Sequence, residues 1–126
     1  MTAGEWTPGQ LAEFADAEEL VLVISRADRT DLRLPVWLVV VDGDLYVRSY
    51  KGVTSGWYRG VEADQHQRIV LGGHDTRVLF EFVPRTDTVN HAIGATYLAK
   101  YSRFDYRDAM VEPAAVDATL RILPED

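Results

Sequence analysis

The chain has 126 residues, which is enough for one domain with a single hydrophobic core. Hydrophobic residues make up 47% of it and charged residues 26%, which is the composition of a packed domain rather than of a disordered chain. The formal net charge of −7 argues against general binding to a nucleic-acid backbone, and the lack of cysteine excludes disulfides and thiolate metal sites. We therefore expect one domain over residues 1–126 with no nucleic-acid partner.

The N-terminal segment predicts a helix that begins after Thr7. Pro8 then lies where a missing N–H costs nothing, and Gln10 completes a capping box with Thr7. No basic region with an apolar run precedes this helix, and no apolar run elsewhere approaches the length that spans a membrane. We therefore expect a cytoplasmic protein with no membrane partner.

An apolar strand, LVLVISR, follows the helix and leads into a turn, RADRTD. The next segment, PVWLVVVDGDLYVRSY, predicts a β-hairpin, because two β-branched and aromatic runs flank the turn sequence DGD. The first strand of this hairpin, residues 36–41, is apolar at every position, as in a strand that is covered on both faces. The second strand alternates, and it places Arg48 on one face together with Tyr46 and Tyr50.

The second half of the chain contains signals for both helices and strands. SGWYRGVEADQ predicts a short helix, RIVLGG and RVLFEFV predict two strands, and a longer helix is expected from about residue 86. SRFDYRDAMVEP is expected to be irregular, and ATLRIL predicts a closing strand. Together the elements predict an α+β fold, in which five or six mostly antiparallel strands form a small barrel.

The stretch LYVRSYKGVTSGWYRG, residues 45–60, lies in a cationic part of an acidic chain. Residues 33–60 hold four Lys or Arg against two carboxylates, whereas residues 1–32 hold two Arg against seven carboxylates. Backbone N–H groups of residues 52–56, in the glycine-rich turn and at the start of the next helix, could converge on a compact anion. Arg48 and Lys51 would supply positive charge.

A structural interpretation of this stretch is also open. Trp57 and Tyr58 would then anchor a helix in the core, the glycines would form turns, and Arg48 and Lys51 would be solvated. The three histidines have no metal-ligand spacing, so we expect no metal site. The glycine pairs match neither nucleotide-binding motif.

The sequence from residue 33 to residue 83 resembles the central part of the split β-barrel proteins that bind flavin mononucleotide (FMN) or a deazaflavin coenzyme. An apolar strand, the DGD turn, LYVRS and WYRG carry this resemblance. Over nearly its whole length, the chain is more similar to a bacterial family of unknown function related to that superfamily, which includes pyridoxamine-phosphate-oxidase-like and deazaflavin-dependent nitroreductase-like proteins. The shared elements are a tryptophan near the start, LYVRS, WYRG, YLAKY and MVEPAAVDATLRILP.

The resemblance implies a six-stranded split β-barrel with two to three flanking helices, which forms a homodimer around a pocket for FMN or a deazaflavin. The candidate substrate-binding residues are Trp37, Tyr97 and Tyr101. The deazaflavin-dependent relatives usually carry more Lys and Arg ahead of the hairpin than this acidic segment does, so FMN is the less demanding ligand. The implied cofactor-binding residues are Arg48, Ser49, Tyr50, Lys51, Gly52, Ser55, Gly56, Trp57 and Tyr58.

Two classes of function remain open from the sequence. The first is an oxidoreductase that uses the bound flavin or deazaflavin to transfer a hydride to a small organic substrate. The second is a cofactor-free protein on the same barrel, either a small-ligand-binding protein or a non-redox enzyme, because a fold does not determine its function. The polar residues available for the second class are His91, Tyr97, Lys100, Tyr101 and Arg103.

Overall fold

The structure is a computed structural model that describes residues 4–125, and this range contains seven β-strands and four α-helices. Two 3₁₀-helices, Gly52–Thr54 and Asp105–Val111, complete the regular structure of this range. The helices are α1 (Pro8–Asp16), α2 (Gly56–Ala63), α3 (Val89–Lys100) and α4 (Pro113–Asp117). The strands are β1 (Leu20–Ser25), β2 (Asp31–Val36), β3 (Leu38–Val41), β4 (Asp44–Arg48), β5 (His66–Leu71), β6 (His74–Phe82) and β7 (Thr119–Pro124).

The seven strands form one antiparallel sheet in the order β2-β1-β5-β6-β7-β4-β3. β2 and β3 are consecutive in the chain, yet they form the two opposite edges of this sheet, and only Trp37 joins them. Two Cα–Cα steps of about 3.8 Å separate the end of one edge strand from the start of the other. The sheet must therefore curl until its edges meet, and we call the meeting of β2 and β3 at Trp37 the seam.

The predicted α+β fold with a split barrel is confirmed, but the prediction of six strands was wrong. The segment that was assigned to a turn and one strand contains two strands, β2 and β3. β2 was missed because it is an edge strand with exposed residues at every second position, among them Arg33 and Pro35. Proline is tolerated at a sheet edge, where its missing N–H breaks no ladder hydrogen bond. The apolar run from residue 36 to 41 is interrupted at Trp37, where the chain passes from one edge to the other.

Two local predictions agree with the structure in detail. Thr7 Oγ1 accepts a hydrogen bond from the backbone N–H of Gln10 at 3.1 Å, and Gln10 Oε1 accepts one from the N–H of Thr7 at 2.8 Å. The DGD segment forms the β3–β4 turn, in which Asp42 and Gly43 both have positive φ angles, as a type I′ turn requires. The prediction that SRFDYRDAMVEP is irregular was partly wrong, because this segment contains the 3₁₀-helix Asp105–Val111.

The inner face of the sheet carries one cluster of buried side chains, which we call the barrel core. It takes residues from all strands except the edge strand β2, whose leucines pack against it half-buried, and α1 and α2 add aromatic rings to it. Trp6 lies at one end of the barrel core, where its indole N–H donates to the carbonyl of Ile122 at 2.8 Å. The barrel core consists of Trp6, Phe14, Leu20, Leu22, Ile24, Leu38, Leu45, Val47, Trp57, Tyr58, Val61, Ile69, Val78, Phe80, Ala118, Leu120 and Ile122.

A second cluster, which we call the α3 core, lies on the outer face of β3 and β4 beneath α3. Leu38 belongs to the barrel core and Val39 to the α3 core, and neither is exposed. β3 is therefore covered on both faces, as its apolar sequence predicts. The α3 core consists of Val39, Val41, Tyr46, Val83, Ile93, Tyr97, Tyr101 and Met110.

The start of α2 is fixed by a cap and by a close contact with β1. Ser55 Oγ accepts a hydrogen bond from the N–H of Tyr58 at 3.3 Å. A Cβ atom at Gly60 would lie 2.4 Å from Cγ2 of Ile24, so only glycine lets the helix approach the strand this closely. Within residues 4–125, no helix has both the length and the apolar character needed to cross a bilayer.

Candidate functional site

A cavity of about 410 Å³ lies between the seam, the start of α2 and the 3₁₀-helix Asp105–Val111. This volume falls within the range of small-molecule sites, and its mainly apolar and aromatic lining with a few polar groups is typical of them. No group of three or more potential metal-ligating side chains occurs in the part of the chain that the structure describes. The lining residues are Glu19, Leu34, Pro35, Val36, Trp37, Arg48, Tyr50, Trp57, Tyr106, Ala109 and Met110.

Arg48 is the cation of the cavity, and it is only 2% exposed. Its Nε donates to Thr119 Oγ1 at 2.9 Å, and Nη1 donates to the carbonyl of Met110 at 2.9 Å. Nη2 lies 3.1 Å from both the carbonyl and Oδ1 of Asn90. The guanidinium carbon also lies 5.9 Å from the centroid of the Tyr97 ring. Arg48 is therefore well bonded, but every hydrogen-bond acceptor is a neutral oxygen.

The charge of Arg48 has no carboxylate partner within 4 Å among residues 4–125. Burial lowers the pKa of Arg48, although a guanidinium stays protonated at neutral pH. A buried charge is costly unless an opposite charge or strong hydrogen bonds compensate it. The buried part of the cavity wall thus carries the positive charge of Arg48, which would favour an anionic ligand, whereas Glu19, the one carboxylate of the lining, is exposed.

Trp37 forms the aromatic wall of the cavity and lies parallel to two tyrosine rings. Its ring centroid is 4.0 Å from that of Tyr101, with 8° between the planes, and 5.2 Å from that of Tyr106, with 15° between the planes. The ring of Phe104 lies 5.1 Å away at a tilt of 48°. The flat side chain of Trp37 is thereby held in one orientation at the seam.

Two buried tyrosines of α3 and its C-terminal end hold this wall in place. The hydroxyl of Tyr97 donates to the carbonyl of Trp37 at 3.2 Å. The hydroxyl of Tyr101 accepts from the N–H of Leu38 at 3.0 Å and donates to the carbonyl of Glu18 at 2.7 Å. Burial raises the pKa of Tyr97 and raises that of Tyr101 to about 12. Both hydroxyls therefore stay protonated at neutral pH.

The loop between β4 and α2 uses much of its hydrogen-bonding capacity internally. The N–H of Gly52 donates to the carbonyl of Ser49 at 2.9 Å, and the N–H of Ser55 donates to the carbonyl of Gly52 at 3.3 Å. The hydroxyl of Ser49 donates to Ser55 Oγ at 2.8 Å. Two of the N–H groups that were expected to converge on an anion are thus already bonded within the loop, which corrects that part of the sequence interpretation.

The structure brings four of the predicted site residues to the cavity: Trp37, Arg48, Tyr50 and Trp57. Arg48 is buried in the structure, whereas the sequence analysis allowed it either to bind a phosphate or to be solvated. Lys51 does not line the cavity, but its Nζ lies 5.8 Å from the ring centroid of Tyr50, which does. The predicted residues outside the lining are Ser49, Lys51, Gly52, Ser55, Gly56, Tyr58, Tyr97 and Tyr101.

The sequence interpretation missed several lining residues. Glu19 belongs to the acidic N-terminal segment, residues 1–32, and Tyr106 and Met110 come from the segment that was expected to be irregular. These residues reach the cavity from parts of the chain far from residues 45–60. An aromatic pair, Phe104 and Tyr106, inside an otherwise polar segment was the one local signal for them.

Solved structures with the same architecture identify the fold of this chain as a split β-barrel. The heme storage protein HutZ from Vibrio cholerae superposes with a TM-score of 0.71 at 13% identity, covering 94% of this chain and 90% of that chain. A proposed pyridoxamine 5′-phosphate oxidase from Listeria innocua superposes with a TM-score of 0.67 at 18% identity, covering 92% of this chain and 90% of that chain. An F420-H2-dependent reductase superposes with a TM-score of 0.61 at 12% identity, covering 84% of this chain and 93% of that chain. At these identities the similarity establishes the fold.

The sequence identifies the family more narrowly. Residues 10–122 match the model of the DUF2255 family, which is described as uncharacterized proteins conserved in bacteria. The chain therefore belongs to this family. A comparison with curated proteins gave no match. The function must accordingly be argued from the cavity itself.

Proposed function

We propose that the cavity binds a flavin or deazaflavin cofactor and that the protein transfers a hydride between this cofactor and a small organic substrate. The observation that carries the proposal is the buried charge of Arg48, which has no carboxylate within 4 Å among residues 4–125, in a cavity walled by Trp37 and Trp57. A planar aromatic ligand with an anionic group matches this combination of ring faces and charge. The fold shared with proteins described as an F420-H2-dependent reductase and a proposed pyridoxamine 5′-phosphate oxidase supports it.

The residues around the cavity have the apolar surface and the charge that such a ligand requires. Leu34, Val36 and Met110 supply an apolar surface that would exclude water from the ring, and Arg48 supplies the buried charge. Tyr50 and Tyr106 are exposed and lie where the cavity opens. When bound, the cofactor would supply the hydride chemistry, while the chain binds and orients the ring.

Lys51 is the cation available to a cofactor phosphate. It is exposed, and its ammonium group lies beside the ring of Tyr50 at the edge of the cavity. A phosphate placed there would be solvated on one side and would still gain from the positive charge. We therefore assign the ring to the wall formed by Trp37 and Trp57, with its polar edge toward Arg48, and the phosphate to the Lys51 side.

The test is a titration of the protein with FMN and, in parallel, with riboflavin, which has the same ring but no phosphate. We expect saturable quenching of flavin fluorescence with both. Lys51→Ala should weaken FMN binding by about 1 kcal/mol, as for one solvated ion pair, and leave riboflavin binding unchanged. Arg77→Ala removes an exposed cation of β6 and serves as the matched control, with both affinities retained.

A folded protein that binds neither FMN nor the deazaflavin coenzyme would contradict the proposal. Equal losses for FMN and riboflavin in Lys51→Ala would contradict the phosphate assignment. Substitution of Arg48 would mix effects on binding and on folding, because its four short contacts with Thr119, Met110 and Asn90 would be lost. Lys51, on the surface, avoids this problem.

We also propose that the protein acts as a homodimer with the cavity at the subunit interface. Tyr50 and Val53 are aromatic or apolar side chains that remain exposed on or near the rim of the cavity. Exposed apolar side chains that lie together often mark an interaction surface. Light scattering after gel filtration should give twice the chain mass, and a monomer at micromolar concentration would contradict this part of the proposal.

A second candidate function is the binding of a small aromatic carboxylate without any cofactor. Two observations favour it: the cavity volume of about 410 Å³ is near the lower end of the range for ligand sites, and the loop N–H groups of Gly52 and Ser55 are already bonded. Binding of a naphthoate-type carboxylate by a protein that does not bind FMN would support this function.

A further inference from the structure

We propose that Tyr106 is a removable cap on the ligand site. Its ring covers the face of Trp37 on which a planar ligand would stack, so binding requires Tyr106 to move away first. The inference rests on the proposed function only to the extent that the cavity accepts a planar ligand. It does not depend on redox chemistry, because it concerns access to the aromatic wall.

The two tyrosines that lie parallel to Trp37 differ in how firmly they are held. Tyr101 is 1% exposed, stacks at 4.0 Å, and its hydroxyl bonds to the backbone of Leu38 and Glu18. Tyr106 is 66% exposed and stacks at 5.2 Å. Tyr101 is thus a fixed part of the core, whereas Tyr106 loses only its ring contacts with Trp37 and Phe104, and little buried area, when it swings outward.

The spacing between Trp37 and Tyr106 does not admit a third ring. Two aromatic surfaces in contact are about 3.5 Å apart, so a ligand ring placed between two side chains needs about 7 Å between them. The centroids of Trp37 and Tyr106 are 5.2 Å apart. Stacking of a planar ligand on this face of Trp37 therefore requires a displacement of Tyr106.

The segment that carries Tyr106 is anchored at both ends and exposed in between. Before it, the ring of Phe104 packs against Trp37, and its N–H donates to the carbonyl of Tyr101 at 3.0 Å. After it, Met110 is buried, and its carbonyl accepts from Arg48 Nη1 at 2.9 Å. The residues between these anchors include Asp105 and Asp108, which are exposed. The middle of the segment can therefore move while its ends stay in place.

The experiment measures association kinetics for two probes, FMN and anilinonaphthalene sulfonate, an aromatic anion with no redox role. The variants are Tyr106→Ala, which removes the cap, and Tyr106→Phe, which keeps its ring. Phe82→Ala removes another exposed aromatic side chain, one that packs on Tyr58 outside the cavity. Tyr106 is exposed, so its substitution should leave the fold intact, and circular dichroism checks this.

We expect faster association and tighter binding in Tyr106→Ala. If the cap is open for a tenth of the time, the association rate and the affinity should each increase by about tenfold. The reason is that the apparent affinity is reduced by the fraction of molecules in which the cap is open. Tyr106→Phe and Phe82→Ala should match the unaltered protein. Quenching of tryptophan fluorescence by acrylamide should also increase in Tyr106→Ala, because Trp37 becomes accessible while Trp6 and Trp57 remain 7% and 6% exposed.

Slower or weaker binding in Tyr106→Ala would overturn the inference, because Tyr106 would then be a wall that binds the ligand. Unchanged binding would overturn it too. If the sulfonate binds and neither FMN nor the deazaflavin coenzyme does, the proposed function fails and the cap is judged on the sulfonate alone. If none of the three binds the unaltered protein or Tyr106→Ala, the cap and the proposed function both fail.

Discussion

The two buried clusters of this protein differ in the chemistry that holds them together. The barrel core is made almost wholly of apolar side chains from the inner face of the sheet. The α3 core contains three tyrosines, and Arg48 and Lys100 bond at its edge. Apolar packing is non-directional, whereas hydrogen bonds fix positions and angles. The comparison shows that one face of the sheet supplies stability and that the other also sets the geometry of the cavity wall.

Leu45→Ala tests the barrel core and should have the largest effect. Leu45 is fully buried on β4, and truncation of a buried leucine costs about 2–5 kcal/mol of unfolding free energy. Urea denaturation would measure it. Leu98→Ala, the same substitution at a position of α3 that is 36% exposed, is the control and should change the unfolding free energy by less than about 1 kcal/mol. A loss of similar size at both positions would remove the basis for the comparison.

Tyr101→Phe tests the directional bonds of the α3 core. It keeps the ring that stacks on Trp37 but removes the acceptor of the Leu38 N–H, which would be left buried and unpaired. The expected loss of unfolding free energy is about 1–3 kcal/mol. Tyr97→Phe removes a hydroxyl that donates to a single carbonyl, so its loss of unfolding free energy should be smaller than that of Tyr101→Phe. If Tyr101→Phe is as stable as the unaltered protein, the hydroxyl network does not stabilise the fold.

Lys100→Met tests a charged group at the edge of the α3 core and should have the smallest effect. Nζ of Lys100 donates to the carbonyls of Phe14 and Leu38 at 3.2 Å and 2.9 Å. Burial lowers the pKa of Lys100 to about 8, below its ordinary value of 10.5. Between about pH 8 and pH 10, the unfolded chain therefore binds more protons at this position than the folded chain does, and stability rises with pH.

The measurement for Lys100 is urea denaturation at pH 7, 8.5 and 9.5. The unaltered protein should become more stable across this series by an amount reduced by solvent screening, because Lys100 is only half-buried. Lys100→Met should lack this part of the rise. The series stops below pH 10, where unfolded tyrosines begin to ionise while the raised pKa of Tyr101 keeps its folded form neutral. Identical pH dependence in both proteins would contradict the assignment.

Local signals in the sequence were sufficient for most of the fold. The capping box of Thr7 and Gln10, the DGD turn and the alternation in β4 each depend on a few adjacent residues, and each has the expected structure. β2 could not be predicted in this way, because an edge strand with Arg33 and Pro35 resembles a loop when it is examined alone. Its pairing with β1 is a tertiary property.

The candidate site could be predicted only in part for the same reason. Arg48 and Trp57 lie in one short segment whose composition stands out, and both reach the cavity. Glu19 and Tyr106 reach it from segments about thirty and fifty residues away in sequence, and the aromatic pair of Phe104 and Tyr106 is the one local signal for them. The burial of Arg48 was also hidden, since it depends on acceptors from Asn90, Met110 and Thr119.

The seam at Trp37 closes the barrel without a hydrogen-bonded ladder. β2 and β3 meet there without being neighbours in the hydrogen-bonded order of the sheet. Side chains from α3 and its C-terminal end hold this junction instead: the hydroxyls of Tyr97 and Tyr101 bond to the carbonyl of Trp37 and the N–H of Leu38, and Lys100 bonds to the carbonyl of Leu38. The closure of the barrel beside the cavity thus depends on a helix rather than on strand pairing.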